Sequence, residues 1–350
     1  MNGNCMEYNC LVSVVIPVFN AADFFREALD SVLCQTYENL EIIIVDDGST
    51  DGSEKICDEY AREDKRIIVH HQENKGLSAA RNRGLDIMTG EAVAFLDADD
   101  AYHPDFVKNM INTMVSERCD LVICRYTSFF TKERMNIGRN DQAKPSIDEG
   151  VYDRVSALRA LVEKRINNHV WNKLYRSQLW ESIRFPVGHV YEDIDITFRI
   201  LDQCEKTFVI DDSLYKRRKH PGAITDTITK NNIENWLLAR NHLESFVKKN
   251  TPGLFAEDEM KQLMQRKLYH LIDYYVLALW KNEDNAFGLC EYLRQYILEL
   301  KDEIDIGRTS LYKKIIFRMI CSCPYLLRIF YPFYRSISKS LKRIVRGCSF

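Results

Sequence analysis

Residues 93–100 read VAFLDADD, an apolar run with the pattern of a buried strand that stops in the carboxylates Asp97, Asp99 and Asp100. Like charges at this spacing repel, and burial at the edge of a core only makes that worse. What surrounds them decides their meaning. Upstream, LVSVVIPVF (11–19) and LEIIIVDD (40–47) are also unbroken apolar runs, and the second again ends in acids, Asp46 and Asp47. Helical patterns lie between the runs. DFFREALDSVLCQ (23–35) sets Phe24, Ala28, Val32 and Leu33 on one face, and EKICDEYARED (54–64) follows the turn GSTDGS. After a short strand, RIIVHH (66–71), NKGLSAARNRG (74–84) opens a helix near Ser78, with Gly90 as its stop. Strands that are apolar on both faces and alternate with helices predict an α/β fold, a mostly parallel sheet flanked by helices. In such sheets ligands gather at the carboxyl ends of the strands, where both acid clusters fall.

The rest of the 350 residues divides by pattern. Another helix and the strand DLVICRYTSFF (120–130) lead to a polar loop from Lys132 to Gly150, then helices and short strands run to about residue 228. A helical region covers 229–307, with WLLARNHLESFV and YHLIDYYVLALW as amphipathic segments. The last stretch, 308–350, holds ten Lys or Arg and no Asp or Glu, while the remainder carries 38 basic against 51 acidic residues. An acidic body therefore bears a basic, aromatic-rich tail. The tail falls short of the roughly 20 apolar residues that span a bilayer. Its mixture suits an anionic membrane interface, with docking on the acidic body as the other reading. Its apolar density and lack of a recognition motif argue against nucleic acid. Eleven cysteines without a CxxC pair, behind an N-terminus unlike a signal peptide, point to free thiols in a reducing cytosol.

Neighbouring carboxylates at a sheet rim suit a hard divalent cation such as Mg²⁺ or Mn²⁺, which bridges to nucleotide phosphates. The D-x-D spacing sets Asp97 and Asp99 on one side of an extended chain; read alone, it also describes an acidic surface turn. In NKGLSAARNRG, Asn74, Lys75 and Gly76 fall at a helix N-terminus and Arg81 one turn inside, an arrangement suited to a diphosphate. Read alone, Gly76 is a plain turn and Arg81 a surface ion pair.

Taken together, IPVFN (16–20), VDDGSTDGS (45–53), NKGLSAARNRG and FLDADD resemble, in order and spacing, family 2 glycosyltransferases of the GT-A fold. The likeness covers roughly residues 11–225. It implies a GT-A domain over 1–228, with 1–104 as the nucleotide-sugar half and 105–228 as the acceptor half. The implied activity is an inverting transfer of a sugar from a nucleotide donor, UDP by family habit, to a glycan or lipid-linked hydroxyl. That would place the protein in cell-surface polysaccharide synthesis at the inner face of the membrane. The resemblance further implies that Asp46 or Asp47, with backbone near Pro17 and Phe19, contacts the nucleoside, and that Arg81 contacts the nucleotide. Asp97 is implied near ribose or metal, Asp99 on the metal, and His220 of LYKRRKHPGAIT as a third ligand or a residue on a closing loop. This chain is poorer in aromatics there than its relatives and offers Lys216 and Arg217 instead.

An inverting transfer needs one base to take the acceptor proton. In GHVYEDIDITFRIL (188–201), Tyr191, Ile194, Phe198 and Leu201 recur at helical spacing, so Glu192 and Asp193 fall in the first turn. Acids there also simply complement the helix dipole. The pair resembles the family's ED motif, and VWNKLYRSQLW plus RFP resembles the segment leading into it. The resemblance implies Asp193 as base and Glu192 as its partner, with Trp171 and Lys173 near the acceptor; Trp171 reads equally well as core. A silent nucleotide-sugar binder or scaffold would show decayed acidic motifs, and these are intact. A nucleotidyltransferase would need a glycine-rich basic loop after the first strand, and IPVFNAADFF has none.

Overall fold

A computed structural model describes residues 9–130, 148–220, 229–250, 257–281, 286–301, 311–324 and 326–327. The predicted alternation runs through β1 (Val12–Val18), α1 (Ala22–Leu33), β2 (Leu40–Asp46), α2 (Ser53–Glu63), β3 (Ile67–His71), α3 (Leu77–Ile87) and β4 (Ala92–Phe95). There follow β5 (Ala101–Tyr102), α4 (Phe106–Ser116), β6 (Leu121–Phe130), β7 (Gly150–Asp153), α5 (Arg154–Val162), β8 (Lys173–Arg176), α6 (Glu192–Gln203) and β9 (Lys206–Lys219). The strands join one sheet in the order β3-β2-β1-β4-β8-β6-β9-β5, with β7 on β9. The segment from β3 to β4 is wholly parallel. Beyond it β8 runs antiparallel to both β4 and β6, while β6 and β9 are parallel. The expected α/β sheet is present, and its parallel half is the half the apolar runs marked.

Every residue of β1 and β2 is buried, as strands covered on both faces require. Pro17 fits within central β1 because pairing to β4 ends at Val15↔Phe95, so no partner on that side awaits its missing N–H. On α1 the buried face is Phe25, Ala28, Leu29 and Val32, one position round from the face expected through Phe24 and Leu33. Phe24 instead lies against His220, with ring centroids 4.7 Å apart. Helix α3 approaches β1 so closely that a Cβ on Gly84 would collide with the Val15 side chain.

Of the loop expected from Lys132 to Gly150, residues 132–147 lie outside the described residues. The chain forms two compact units, Met1–Ala223 with Asn235–Asn250, and Ile224–Glu234 with Thr251–Phe350. The sheet belongs to the first. In the second, α8 (Glu257–Lys281), α9 (Ala286–Leu300) and α10 (Leu311–Ser322) pack together, burying Leu268, Leu271, Leu293, Ile297, Ile316 and Ile320. Helix α7 (Lys230–Asn250) contributes to both units. Of the tail, residues 325 and 328–350 lie outside the described residues. Among the described residues no helix is long and apolar enough to cross a membrane, and all nine cysteines are free thiols.

Candidate active site

Strand β4 ends at Phe95, and Asp97–Asp100 form a turn closed by the Asp100 amide donating to the Asp97 carbonyl at 3.0 Å. The extended alternation expected for Asp97 and Asp99 is thus replaced by a turn, which sends the three carboxylates to three different partners. Asp97 accepts from Arg81 Nη2 at 2.8 Å. Asp99 Oδ2 lies 2.9 Å from His220 Nε2. Asp100 is buried, taking the Tyr215 hydroxyl at 2.6 Å and the Arg218 amide at 2.7 Å. Burial, then the charges of Asp97 and Asp99, push the Asp100 carboxyl up to about 8. The Asp97 carboxyl is likewise raised, by burial first, against the pull of Arg81.

The end of β9 clamps this turn. Arg218 also donates through Nε to the Asp99 carbonyl at 2.8 Å, pairs with Glu27, and lies over the rings of Phe24 and Phe129. The sequence motifs do not single out Tyr215 or Arg218. A usable signal existed: Arg218 stands two residues before His220, hence on the same face of a strand. Lys216 and Arg217, the cations singled out in this stretch, have other places; Lys216 is exposed and pairs in the ladder with Ala101.

Asp99 and His220 supply an oxygen and a nitrogen that suit Mn²⁺ or Mg²⁺, and the raised Asp97 and Asp100 are carboxylates that a cation would relieve. Among the described residues no three such ligands converge, because Arg81 holds Asp97, and Tyr215 with Arg218 hold Asp100. The protein's contribution at this turn is therefore a pair, to be completed by a ligand's own oxygens.

At the neighbouring strand ends, Phe19 is half exposed. Asn20 adopts φ 49° and accepts the Thr50 amide at 2.9 Å, tying the end of β1 to the GSTDGS turn. Asp46 takes His71 Nδ1 at 2.8 Å and the Ser49 amide at 3.0 Å; its hydrogen bond raises the His71 pKa. Asp47 accepts the amides of Lys75 (2.9 Å) and Gly76 (2.7 Å) and the side-chain amide of Gln72 (2.7 Å). Gly76, at φ 88°, caps α3 in a conformation that favours glycine. The helix-terminal amides expected to cradle a diphosphate thus hold a protein carboxylate, Asp47. The side chains of Asn74 and Lys75 are exposed.

Arg81 is buried and bridges the two halves of the sheet unit, reaching Asp97 with Nη2 and Glu192 with Nη1 at 2.6 Å. The guanidinium that the resemblance sets on the nucleotide is engaged here by two carboxylates, whose charges raise its pKa against burial. Glu192 and Asp193 do open α6, after Tyr191 at φ 67° and ψ 30°, an unusual backbone for a non-glycine residue. Such outliers gather at functional sites. Asp193 Oδ1 accepts the Ile194 amide at 2.8 Å, while Oδ2 lies 3.9 Å from His169 Nδ1, beyond hydrogen-bond reach. Burial, then the Glu192 charge, raise the Asp193 carboxyl to about 6. Asp195, two residues on, binds His242 of α7 at 2.8 Å.

Trp171 and Lys173, expected near the acceptor, are both buried. Trp171 stacks between His169 and Tyr215. The Lys173 ammonium donates to the carbonyls of Asn167, at 3.0 Å, and His169, and to Asn172 Oδ1 at 3.2 Å. Burial lowers its pKa to about 7. Neither residue presents its polar or ring surface outward.

A mostly parallel sheet with carboxylates gathered at its strand ends, and a helix whose first turn carries a raised carboxylate, make up a fold of the GT-A type. The sequence of residues 13–189 matches the profile of Glycosyl transferase family 2, ending just before Glu192, and the chain belongs to that family. Glycosyltransferase GlyA of Streptococcus pneumoniae serotype 4 is 37% identical over 233 residues, covering 65% of this chain and 33% of GlyA, so the chain spans about a third of that relative. Glycosyltransferase GlyG of the same organism is 29% identical over 274 residues, covering 75% of this chain and 87% of GlyG. The fold resembles the crystal structure of S. aureus TarS 1–349 in complex with UDP-GlcNAc, with a TM-score of 0.57 at 19% identity, over 83% of this chain and 89% of that one.

Proposed function

We propose that this glycosyltransferase inverts the anomeric centre as it moves a sugar from a nucleotide-diphosphate donor, a UDP-sugar, to a hydroxyl of a glycan or lipid-linked acceptor. The donor would sit on the 1–104 half and the acceptor on the 105–228 half. One observation carries the reading: Asp193 has one oxygen fixed by an amide and the other directed to no hydrogen bond, with its carboxyl raised to about 6. A base poised near neutrality suits proton removal from a sugar hydroxyl. As the acceptor oxygen bonds to the anomeric carbon, its proton passes to Asp193 Oδ2 and the bond to the diphosphate breaks with its electron pair on the leaving oxygen. Glu192 holds the helix start to Arg81 and, through it, to Asp97 beside the donor. Asp99 with His220, and Asp97 if released from Arg81, would hold Mn²⁺ or Mg²⁺. When bound, that cation supplies positive charge to the departing diphosphate. The complexes of TarS with UDP-GlcNAc and with UDP support a uridine carrier here.

The exposed side of α10 carries Leu311, Ile315 and Arg318 at helical spacing, beside Lys314. Apolar and basic groups on one helix support contact with an anionic membrane surface. That location fits a lipid-linked acceptor, assembly of cell-surface polysaccharide, and a peripheral place on the cytoplasmic face. The test of the chemistry is release of nucleoside diphosphate from a panel of UDP- and GDP-sugars with Mn²⁺ or Mg²⁺. Asp193→Asn is expected to lower turnover by about 10²–10⁴-fold with donor binding retained, whereas Asp99→Ala weakens metal-supported donor binding itself. Full turnover in Asp193→Asn would overturn the assignment.

A further inference from the structure

Three rings stand in a row beside the base. His169 and Trp171 stack with centroids 4.5 Å apart and 12° between planes, and Trp171 and Tyr215 with 4.2 Å and 23°. Tyr126 meets the row edge-on, 4.9 Å from Trp171 and 5.8 Å from His169. Trp171 and Tyr215 are buried, but the outermost ring, His169, keeps 30% of its side chain exposed, next to an Asp193 side chain that keeps 27%.

The segment bearing His169 is held firmly. The buried Lys173 ammonium fixes the carbonyls of Asn167 and His169, and Thr197 Oγ1 of α6 donates to the Asn168 carbonyl at 2.7 Å. Three successive carbonyls are thus tied down by a buried charge and by the helix that carries the base. A buried ammonium is costly unless well bonded, and here its bonds serve to set one ring against one carboxylate.

We propose that His169 is an acceptor-binding residue: the exposed side of its ring carries the apolar C–H face of a pyranose and sets the attacking hydroxyl against Asp193 Oδ2. The inference rests on the glycosyl-transfer reading above and adds that the group accepting the new linkage is itself a sugar. The ring's environment agrees. Burial, then the charges of Lys173 and Arg217, lower the His169 pKa to about 3, so the imidazole is neutral at physiological pH. A neutral ring stacks and shares a hydrogen bond without forming the ion pair that would draw Asp193 away from its work as a base. Trp171 gives the ring a rigid backing, so little order is lost when a sugar settles on it.

The test uses the full chain with p-nitrophenyl glycosides of glucose, galactose and N-acetylglucosamine as acceptor probes, and glycerol as an acyclic control. Binding is read from the His169 ring C–H signals in NMR, assigned by their loss in His169→Ala. Turnover is read from nucleoside diphosphate release with the active sugar nucleotide. The expected result is that at least one glycoside, and not glycerol, moves the His169 signals. His169→Ala should then raise the acceptor KM about tenfold, the scale of one aromatic contact. His169→Phe, which keeps a flat ring at this position, restores most of the acceptor affinity. No movement of the His169 signals with any glycoside, equal movement with glycerol, or an unchanged acceptor KM in His169→Ala would overturn the proposal. Failure of the wild-type protein to bind or cleave any sugar nucleotide would instead sink the glycosyl-transfer reading, and the glycoside titration would still decide whether the ring binds a sugar.

Discussion

Arg81 Nη1 donates to Glu192 Oε1 at 2.6 Å across 111 positions of sequence, and its other terminal nitrogen holds Asp97. One buried cation therefore joins the first acid of the DADD turn to the first acid of the ED pair. Arg81→Met would leave two partly buried carboxylates without their counter-charge, a change that costs about 3–5 kcal/mol for a buried pair. Arg81→Lys keeps the charge and loses the fork that reaches both partners at once. We expect Arg81→Met to lower the melting temperature sharply, and Arg81→Lys to fold while losing turnover more than donor binding. Thermal unfolding alongside kcat and donor KM separates the two outcomes; equal kcat in Arg81→Lys and wild type would mean the bridge is structural only.

The raised carboxyl of Asp193 fixes the sign of a pH profile. A general base works ionised, so turnover should rise with pH through about 6 and level off above it. Replacing Glu192 by Gln removes the nearby negative charge that helps hold that value up, and it frees Arg81 from one carboxylate. Both changes favour the ionised form, so the acidic limb should move to lower pH. Measurement of kcat/KM from pH 4.5 to 8 in both proteins decides the matter; an unmoved limb in Glu192→Gln would assign the titration to another group.

How much of this was legible beforehand follows from what each signal depends on. The parallel strands were readable because burial on both faces leaves an unbroken apolar run, as in VSVVIPV and LEIIIVD. The buried face of α1 is turned by one position from the face its apolar spacing predicts: Phe24 is apolar but lies against His220 and Arg218 and not in the core. The acid clusters and the ED pair were visible as composition and as family motifs, yet their partners were not. Nothing near Arg81 in sequence announces Glu192. Helix-terminal amides at Lys75 and Gly76 announce an anion without saying that it is Asp47. Lys173 reads as a cation near the acceptor, and only the tertiary fold reveals that three oxygens surround its amino group.

Gly84 tests the packing that places α3, and with it Arg81. A Cβ at this position would drive into the Val15 methyls in the middle of β1. Overpacking of this kind costs about 1–3 kcal/mol, and a buried Val15 methyl with little room to move puts Gly84 toward the upper part of that range, above the gain of about 1 kcal/mol that alanine brings to a helix interior. Gly84→Ala should therefore lower the melting temperature by several degrees, whereas Gly52→Ala, where a Cβ has nothing within 4 Å, is penalised only through its φ of 102°. A Gly84→Ala protein as stable as wild type would show that α3 can slide on β1 without cost.

The exposed side of α10 gives the last prediction. Leu311 and Ile315 lie outward on the same helix whose Ile316 and Ile320 are buried, and Lys314 and Arg318 flank them. Lys313 is engaged within the helical unit, 2.8 Å from Asp273, so removing the whole tail would disturb folding as well as surface charge. The sharper variant is Lys314→Glu with Arg318→Glu, which reverses two outward charges and spares the packed face. Each basic group near an anionic surface contributes about 1 kcal/mol, so losing and reversing two should weaken sedimentation with phosphatidylglycerol vesicles by at least about tenfold. Binding to neutral phosphatidylcholine vesicles should change little, because Leu311 and Ile315 remain. Equal binding of variant and wild type to the anionic vesicles would show that this helix face does not read membrane charge.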